Sequence, residues 1–295
     1  MTAILHINGL SKSYGKVKAL NNLTLQINQG EVYGVLGPNG SGKTTTLGII
    51  LNVLNADTGS YTWNGKAPHK EIRKKIGSLL ETPNFYPYLS ARQNLSIVCD
   101  IKQVPESEID RVLKIVDLLD RADSKFKTYS LGMKQRLAIA SALLGDPDIL
   151  VLDEPTNGLD PQGIAEVRDI IKNLAKQGKT IIMASHILDE VEKICTHVAV
   201  LKLGNLLAYG PIQEVLNKHE QVYVSSDDLD LLKICLSQIE GVSNVKTSNN
   251  KVYLTLHKDK DTSYLNKALF EKGIVVSEIG VKKSDLESNF LALIK

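Results

Sequence analysis

Only three of the 295 residues are cysteine, and Cys99, Cys195 and Cys235 stand far apart, none with a second cysteine at a metal-ligand spacing. So odd and scattered a set argues against a disulfide framework or a cysteine-held zinc, and fits buried, inert thiols in a reducing compartment. An excess of one charge is also missing: 35 Lys and Arg face 33 Asp and Glu, leaving a formal net charge of +2. A nucleic-acid footprint needs a strong basic excess on one face, so no nucleic-acid partner is expected. No window holds the ~18 or more uninterrupted apolar residues of a membrane span. Met1 to Gly9 lack a basic patch leading into a long apolar stretch, so no signal peptide is expected either. A cytoplasmic protein is expected; if it acts at a membrane, other chains supply the spanning part.

What is present suffices for a core. The hydrophobic fraction is 43%, ordinary for a globular chain, and the length suits one large domain plus one small. The opening alternates β-rich segments with turn signals: Leu5 to Asn8, Leu20 to Ile27 and Val32 to Leu36 read as strands broken at Gly9, Gly15 and Gln29-Gly30. A helix follows from Lys43 to about Leu54. Residues from about Leu89 to Leu144 read as mostly helical, with Ile109, Val112, Leu113, Val116 and Leu119 on one face. The wholly apolar strand Ile149 to Leu152, a helix carrying Ile164, Val167, Ile171 and Leu174, and the buried strand Thr180 to Ala184 come next. Strands apolar on both faces and alternating with helices mean a parallel sheet covered on both sides. A hairpin at Gly204-Asn205 closes the large domain near Gly210-Pro211, giving an expected domain of 1–212.

From about 220 to 295 the rhythm changes to β-α-β-β-α-β, the order of a small ferredoxin-like α+β domain. Its strands are expected at Val222 to Ser225, Val242 to Lys246, Val252 to Leu256 and Ile274 to Ile279, with a hairpin across Asn249-Asn250. A final amphipathic helix carrying Leu286, Phe290, Leu293 and Ile294 is expected to dock on something.

Two segments carry chemistry. Gly37, Pro38, Asn39, Gly40, Ser41, Gly42, Lys43 and Thr44, with Thr45 after them, form a complete P-loop between a strand and a helix. The glycines let successive N–H groups turn inward around a phosphate, and the helix start adds a positive dipole. Lys43 reaches the β and γ oxygens, and the Thr44 hydroxyl ligates Mg²⁺. In Ile149-Leu-Val-Leu-Asp153-Glu154 a buried strand pushes Asp153 toward that metal, and Glu154 is placed to orient or deprotonate an attacking water. The pair means nucleoside triphosphate binding, without naming the machine.

The segments between and after narrow the class: Tyr129-Ser-Leu-Gly-Met-Lys-Gln-Arg136, Asn157-Gly-Leu-Asp160 and Ser185-His186. In this ordered set the chain resembles the nucleotide-binding subunits of ABC transporters, over Met1 to about Pro211. The resemblance implies an α/β fold: a P-loop NTPase core with an antiparallel β-subdomain and a helical subdomain. It implies ATP and Mg²⁺ as cofactors, hydrolysis, and work as a sandwiched pair, expected to be a homodimer. Tyr14 matches the residue that stacks on adenine. Ser130, Leu131, Gly132 and Met133 match the signature that closes over the ATP of the opposite subunit. Asp160 matches the dimer-interface loop and His186 the γ-phosphate sensor, so Glu154 and His186 are the expected catalytic pair.

Three positions depart from the family pattern, one in the loop before Pro83 and two in the signature. Glu81 stands where a glutamine usually meets Mg²⁺, and the signature has Leu131 for glycine and Met133 for glutamine, so a ribose contact from 133 is in doubt. With Glu81, the form Tyr-Ser-Leu-Gly-Met-Lys-Gln-Arg is similar to exporters for bacitracin resistance and lantibiotic self-immunity. Phe85, Tyr86, Tyr88 and Leu89 form an apolar cluster in a Pro-containing loop, a pattern that marks a contact surface. The resemblance assigns that region to an integral membrane permease, which would hold the chain peripherally at the inner face of the membrane. The alternative is a soluble ABC ATPase acting on ribosomes or DNA; the paired cassettes or inserted coiled coil of those members are not seen here.

Overall fold

The protein was described from a computed structural model that covers residues 2–68, 72, 74–80, 84–215, 221–248, 250–257 and 259–282. It divides into two compact units, Met1–Val215 and Leu216–Lys295.

The first unit opens with β1 (Ala3–Tyr14) and β2 (Val17–Asn28), turned at Gly15. Gly9 does not break β1 as expected: it takes φ 62° and is absorbed where the register shifts between Ile7 and Leu10, as a bulge does. After β3 (Val32–Leu36) and α1 (Lys43–Ile50) the chain returns as β4 (Thr58–Trp63), which pairs with β1 to complete the sheet β2-β1-β4. Neither β4 nor β5 (Ile76–Leu79) was expected. Trp63 is fully buried and its indole Nε1 donates to Ile50 O (2.9 Å), tying the antiparallel sheet to the end of α1. That helix stops at Ile50 rather than near Leu54. Asn52 turns left-handed (φ 57°), and Val53 and Leu54 both donate to Gly48 O.

The helical region resolves into α2 (Ala91–Lys102), α3 (Glu108–Ile115) and α4 (Leu131–Leu143). Ser90 and Gln93 build a reciprocal capping box at the start of α2. Ile109, Val112 and Leu113 bury one face of α3.

Then follow β6 (Ile149–Asp153), α5 (Pro161–Lys176), β7 (Thr180–Ser185), α6 (Leu188–Ile194), β8 (His197–Lys202), β9 (Asn205–Pro211) and α7 (Ile212–Val215). The main sheet has the order β5-β6-β7-β3-β8-β9, parallel except for β9. Every residue of β3, β6 and β7 is buried, which is what strands covered on both faces require. The ends of these three central strands carry the P-loop, Asp153-Glu154 and His186.

The second unit runs β10 (Gln221–Ser225), α8 (Leu229–Ser237), β11 (Val242–Ser248), β12 (Lys251–Leu256), α9 (Thr262–Glu271) and β13 (Glu278–Lys282). The antiparallel sheet order is β11-β12-β10-β13, the ferredoxin-like arrangement. Val222, Val224, Val252 and Leu254 pack with Leu232, Leu236, Leu265 and Leu269 in its core. The last strand was expected at Ile274 to Ile279 but begins at Glu278. Ile274 instead closes α9: its N–H donates to Leu269 O (3.0 Å), and Gly273 (φ 80°) donates to Phe270 O, a Schellman stop with its apolar contact. The expected final helix with Leu286, Phe290, Leu293 and Ile294 lies outside the described residues, as does Asn249.

Candidate functional site

At the end of β3 the chain makes a tight loop that only glycine permits. A Cβ on Gly37 would stand 2.3 Å from Leu201 O, and one on Gly42, at φ 106°, 2.5 Å from Ala19 O. The loop is pinned from outside: Gly37 N–H donates to Ser185 O (3.3 Å) and Gly204 N–H to Ser41 O (3.0 Å). Pro38, Asn39, Gly40 and Thr44 are exposed, Thr45 half-buried and Ser41 buried. Helix α1 has no acidic residue in its first turn, so its positive end is uncompensated.

Lys43 is only 5% exposed. A buried ammonium needs partners, and its Nζ donates to Gly37 O (2.8 Å) and Pro38 O (3.3 Å) and stands 3.3 Å from Glu154 Oε1. Glu154 follows β6 with left-handed backbone, φ 47°, a conformation that costs a side-chain-bearing residue of order 1–3 kcal/mol. Its N–H is held by Ala184 O (3.0 Å), and its Oε2 lies 2.8 Å from His186 Nδ1. The ends of β3, β6 and β7 thus join in one polar chain, Lys43–Glu154–His186. Asp153, the last residue of β6, is buried beside β7 with Ala184 as its register partner.

The other expected contacts sit elsewhere on the first unit. Ser130 is the N-cap of α4, accepting from Met133 N–H (3.2 Å), and Asp160 the N-cap of α5, accepting from Gly163 N–H (2.9 Å). Leu131 is exposed, its Cδ2 3.4 Å from where a Cβ of Gly158 would be, and Gly132 borders Gly163. The signature and the Asp160 turn therefore lean on each other, while their side-chain caps stay within their own helices. Tyr14 ends β1 with its ring 49% exposed and Lys12 Nζ 5.7 Å from its centre. It is therefore not a core residue, and Lys12 stands over one face of its ring. Glu81 lies outside the described residues.

For Mg²⁺ the chemistry of the donors fits. Among the described residues no three His, Cys, Asp or Glu gather into a cage. What the site offers is the Asp153 carboxylate and the exposed Thr44 hydroxyl, and Mg²⁺ takes one or two carboxylates, keeps waters and completes its shell with phosphate oxygens.

The sequence reading missed Asn94. Its amide accepts from Tyr86 N–H (2.8 Å) and donates to Tyr86 O and Ser90 O, lashing the aromatic loop to α2. An asparagine inside a helix is a poor helix former, and that was the available signal. In the loop, Tyr86 and Tyr88 face out (Tyr88 is 64% exposed), whereas Phe85 turns in, edge-on to Phe126 at 5.2 Å.

Residues 20–157 match the ABC transporter family. Over its whole length the chain is 38% identical to the bacitracin transport ATP-binding protein BcrA of Bacillus licheniformis, covering 98% of that protein. The chain belongs to the ATP-binding proteins of ABC transporters. An ABC ATP-binding protein of this kind hydrolyses ATP in support of transport by membrane permeases. Over 69% of its length it is also 42% identical to the lantibiotic transport ATP-binding protein SrtF of Streptococcus pyogenes, 89% of which is covered. Among solved structures, cbiO1 of Clostridium perfringens, part of the transporter complex cbiONQ, superposes with a TM-score of 0.66. It is 31% identical, with 73% of this chain and 91% of that one covered. The dimeric ABC cassette MJ0796 superposes with a TM-score of 0.65 at 27% identity, over 71% of this chain and 99% of that one. Among the described residues no helix is long and apolar enough to cross a membrane.

Proposed function

We propose that this ABC ATPase powers export of an antimicrobial peptide of the bacitracin or lantibiotic kind by a separate integral membrane permease. The chain works from the cytoplasmic face, as a homodimer with two composite sites. The observation that carries the ATPase part is the bonded chain Lys43–Glu154–His186 at the mouth of the P-loop. In this reading the P-loop amides and Lys43 hold the phosphates, and the half-exposed ring of Tyr14 stacks on adenine on the face away from Lys12. Thr44 and Asp153, with Glu81 as a further oxygen ligand, would hold Mg²⁺, which would supply charge neutralisation at the phosphates. Glu154 takes the proton of the attacking water, and His186 positions Glu154 and senses the γ-phosphate. Catalysis comes from positioning and charge stabilisation. The exposed starts of α4 and α5, with Ser130, Leu131, Gly132, Met133 and Asp160, meet the nucleotide and loop of the opposite copy. A dimeric solved cassette supports the pairing.

The cargo class rests on the full-length likeness to a bacitracin transport protein. Tyr86 and Tyr88 support the permease contact. Phe85, Tyr86, Ile97, Val98 and Ile101, with Asn84 and Asn94, line a cleft of about 380 Å³, a place for apolar side chains of another chain to insert.

The test is resistance. The chain, expressed in a peptide-sensitive host with a membrane permease that co-purifies with it, is expected to raise the inhibitory concentration of bacitracin or a lantibiotic. Glu154→Gln should abolish that protection. Glu81→Ala should impair it while nucleotide affinity holds, because Lys43 and the P-loop amides remain. Equal protection by wild type and Glu154→Gln would contradict the reading.

A further inference from the structure

Helix α4 is 13 residues long, a rod of about 20 Å. Its start is Ser130, and its end needs partners, because the last carbonyls of a helix have none within it. Leu144, which follows, is extended, and the left-handed residues Gly145 and Asp146 (φ 81° and 47°) return a single backbone donor, Asp146 N–H to Leu143 O (3.1 Å). The remaining partners come from side chains of two other helices. Lys102, the last residue of α2, donates from Nζ to Ser141 O (2.9 Å), Ala142 O (3.1 Å) and Leu144 O (3.1 Å). Arg111 of α3 donates to Leu143 O (3.3 Å) while held by Glu108. Four consecutive carbonyls are thus met by two cations, at the end of the helix where the dipole favours positive charge.

Lys102 carries the larger share. An ammonium has three N–H bonds and no acceptor, and here it has three carbonyls within 3.1 Å. It is also the residue in which two surfaces meet. Upstream on the same helix, Ile97, Val98 and Ile101 line the aromatic cleft; downstream, through the carbonyls, lies the rod that carries Ser130.

We propose that Lys102 is a positioning residue for ATP hydrolysis: by clamping the far end of α4 to α2 it sets where Ser130 and the signature stand. The inference rests on the reading of Ser130 as a group that closes over nucleotide. A lost clamp frees α4 to shift along and about its axis. A displacement near 1 Å at a group that acts on the transferring phosphate costs about a hundredfold in rate. Nucleotide capture by Lys43 and the P-loop belongs to other elements and is spared.

The experiment is steady-state hydrolysis of Mg·ATP by the purified full chain, well below its melting temperature, with an independent titration of nucleotide binding. Lys102→Met is expected to leave the nucleotide Kd within twofold and KM within threefold while kcat falls at least tenfold. Lys102→Arg, whose guanidinium can still donate to several carbonyls, should recover at least half of kcat. If Lys102→Met does not fold, Lys102→Gln keeps two donors and should show the same split in milder form. Ser130→Ala is run beside them. If its kcat stays within twofold of wild type, the reading of Ser130 falls independently of Lys102. If Ser130→Ala is impaired but folded Lys102→Met or Lys102→Gln keeps kcat within twofold, the positioning role is overturned. Folded Lys102→Arg as slow as Lys102→Met would overturn it too.

Discussion

Glu154 Oε2 lies 2.8 Å from His186 Nδ1, although the two residues are 32 positions apart and leave different strands. The contact exists because β6 and β7 are parallel neighbours and end side by side, with Asp153 opposite Ala184. It also holds Glu154 in its left-handed conformation (φ 47°) together with the bond from its own N–H to Ala184 O. The other carboxylate oxygen faces Lys43 at 3.3 Å. In the proposed reading, arriving phosphates would compete with Glu154 and Gly37 O for that ammonium, and nucleotide binding would release one carboxylate oxygen toward the site of attack.

The first expectation concerns the histidine. His186→Ala removes the anchor of Glu154 and, in the proposed reading, the group that senses the γ-phosphate. Loss of one such preorganised group costs about 10²–10³ in kcat, whereas ATP affinity should change by less than about threefold, because Lys43 keeps its place. Phosphate release and a nucleotide titration on the same preparation check this; an undiminished kcat would detach His186 from the reaction.

Much of this site was legible in the sequence. The P-loop, Asp153, Glu154 and His186 each follow a strand so apolar that its burial could be read directly, and parallel neighbours bring such ends together. The left-handed turn at Glu154 was not legible, because glutamate has no preference for it; the contact with Ala184 imposes it. The edge strands β4 and β5 were missed for a related reason: Thr58–Trp63 is buried only at Trp63 and carries no sustained apolar alternation, and Ile76–Leu79 is four residues long. Both are strands because of what they pair with. Ile274 read as strand from its β-branched side chain, yet tertiary packing uses it to stop a helix.

The aromatic loop divides into two kinds of residue, and so do the expected effects. Tyr86→Ser with Tyr88→Ser removes outward rings 5.9 Å apart and should cut co-purification of the permease at least tenfold with little change in melting temperature. Phe85→Ser removes the edge contact on Phe126 and should destabilise the fold by roughly 1–3 kcal/mol. Pull-down from detergent extracts and urea unfolding separate the two. Undiminished pull-down by the double variant would make the tyrosines ordinary surface residues.

Lys102 gives a pH signature. Burial pushes its ammonium down to about 8, from 10.5 in the unfolded chain. Between those values the unfolded state binds the proton that the folded state has released, so stability rises with pH there and is flat, for this group, below about 8. At about 1.4 kcal/mol per pH unit the gain is at most about 3 kcal/mol, less for partial solvent access. Urea midpoints at pH 7.5 and 9.5 should show wild type gaining on Lys102→Met; parallel changes in the two proteins would remove the assignment.

The central claim is that two copies of this chain close around ATP and that Glu154 then breaks it down. Glu154→Gln keeps the shape of the side chain, gives up the base, and removes the carboxylate that holds Lys43 at rest. General-base loss costs about 10²–10⁴ in rate, so ATP should be bound and kept. The direct measurement is sizing chromatography of Glu154→Gln with ATP and Mg²⁺, beside phosphate release. A stable dimer that forms only with ATP, with release at least a hundredfold below wild type, is the expected result. A monomer at saturating ATP, or hydrolysis at the wild-type rate, would contradict the account.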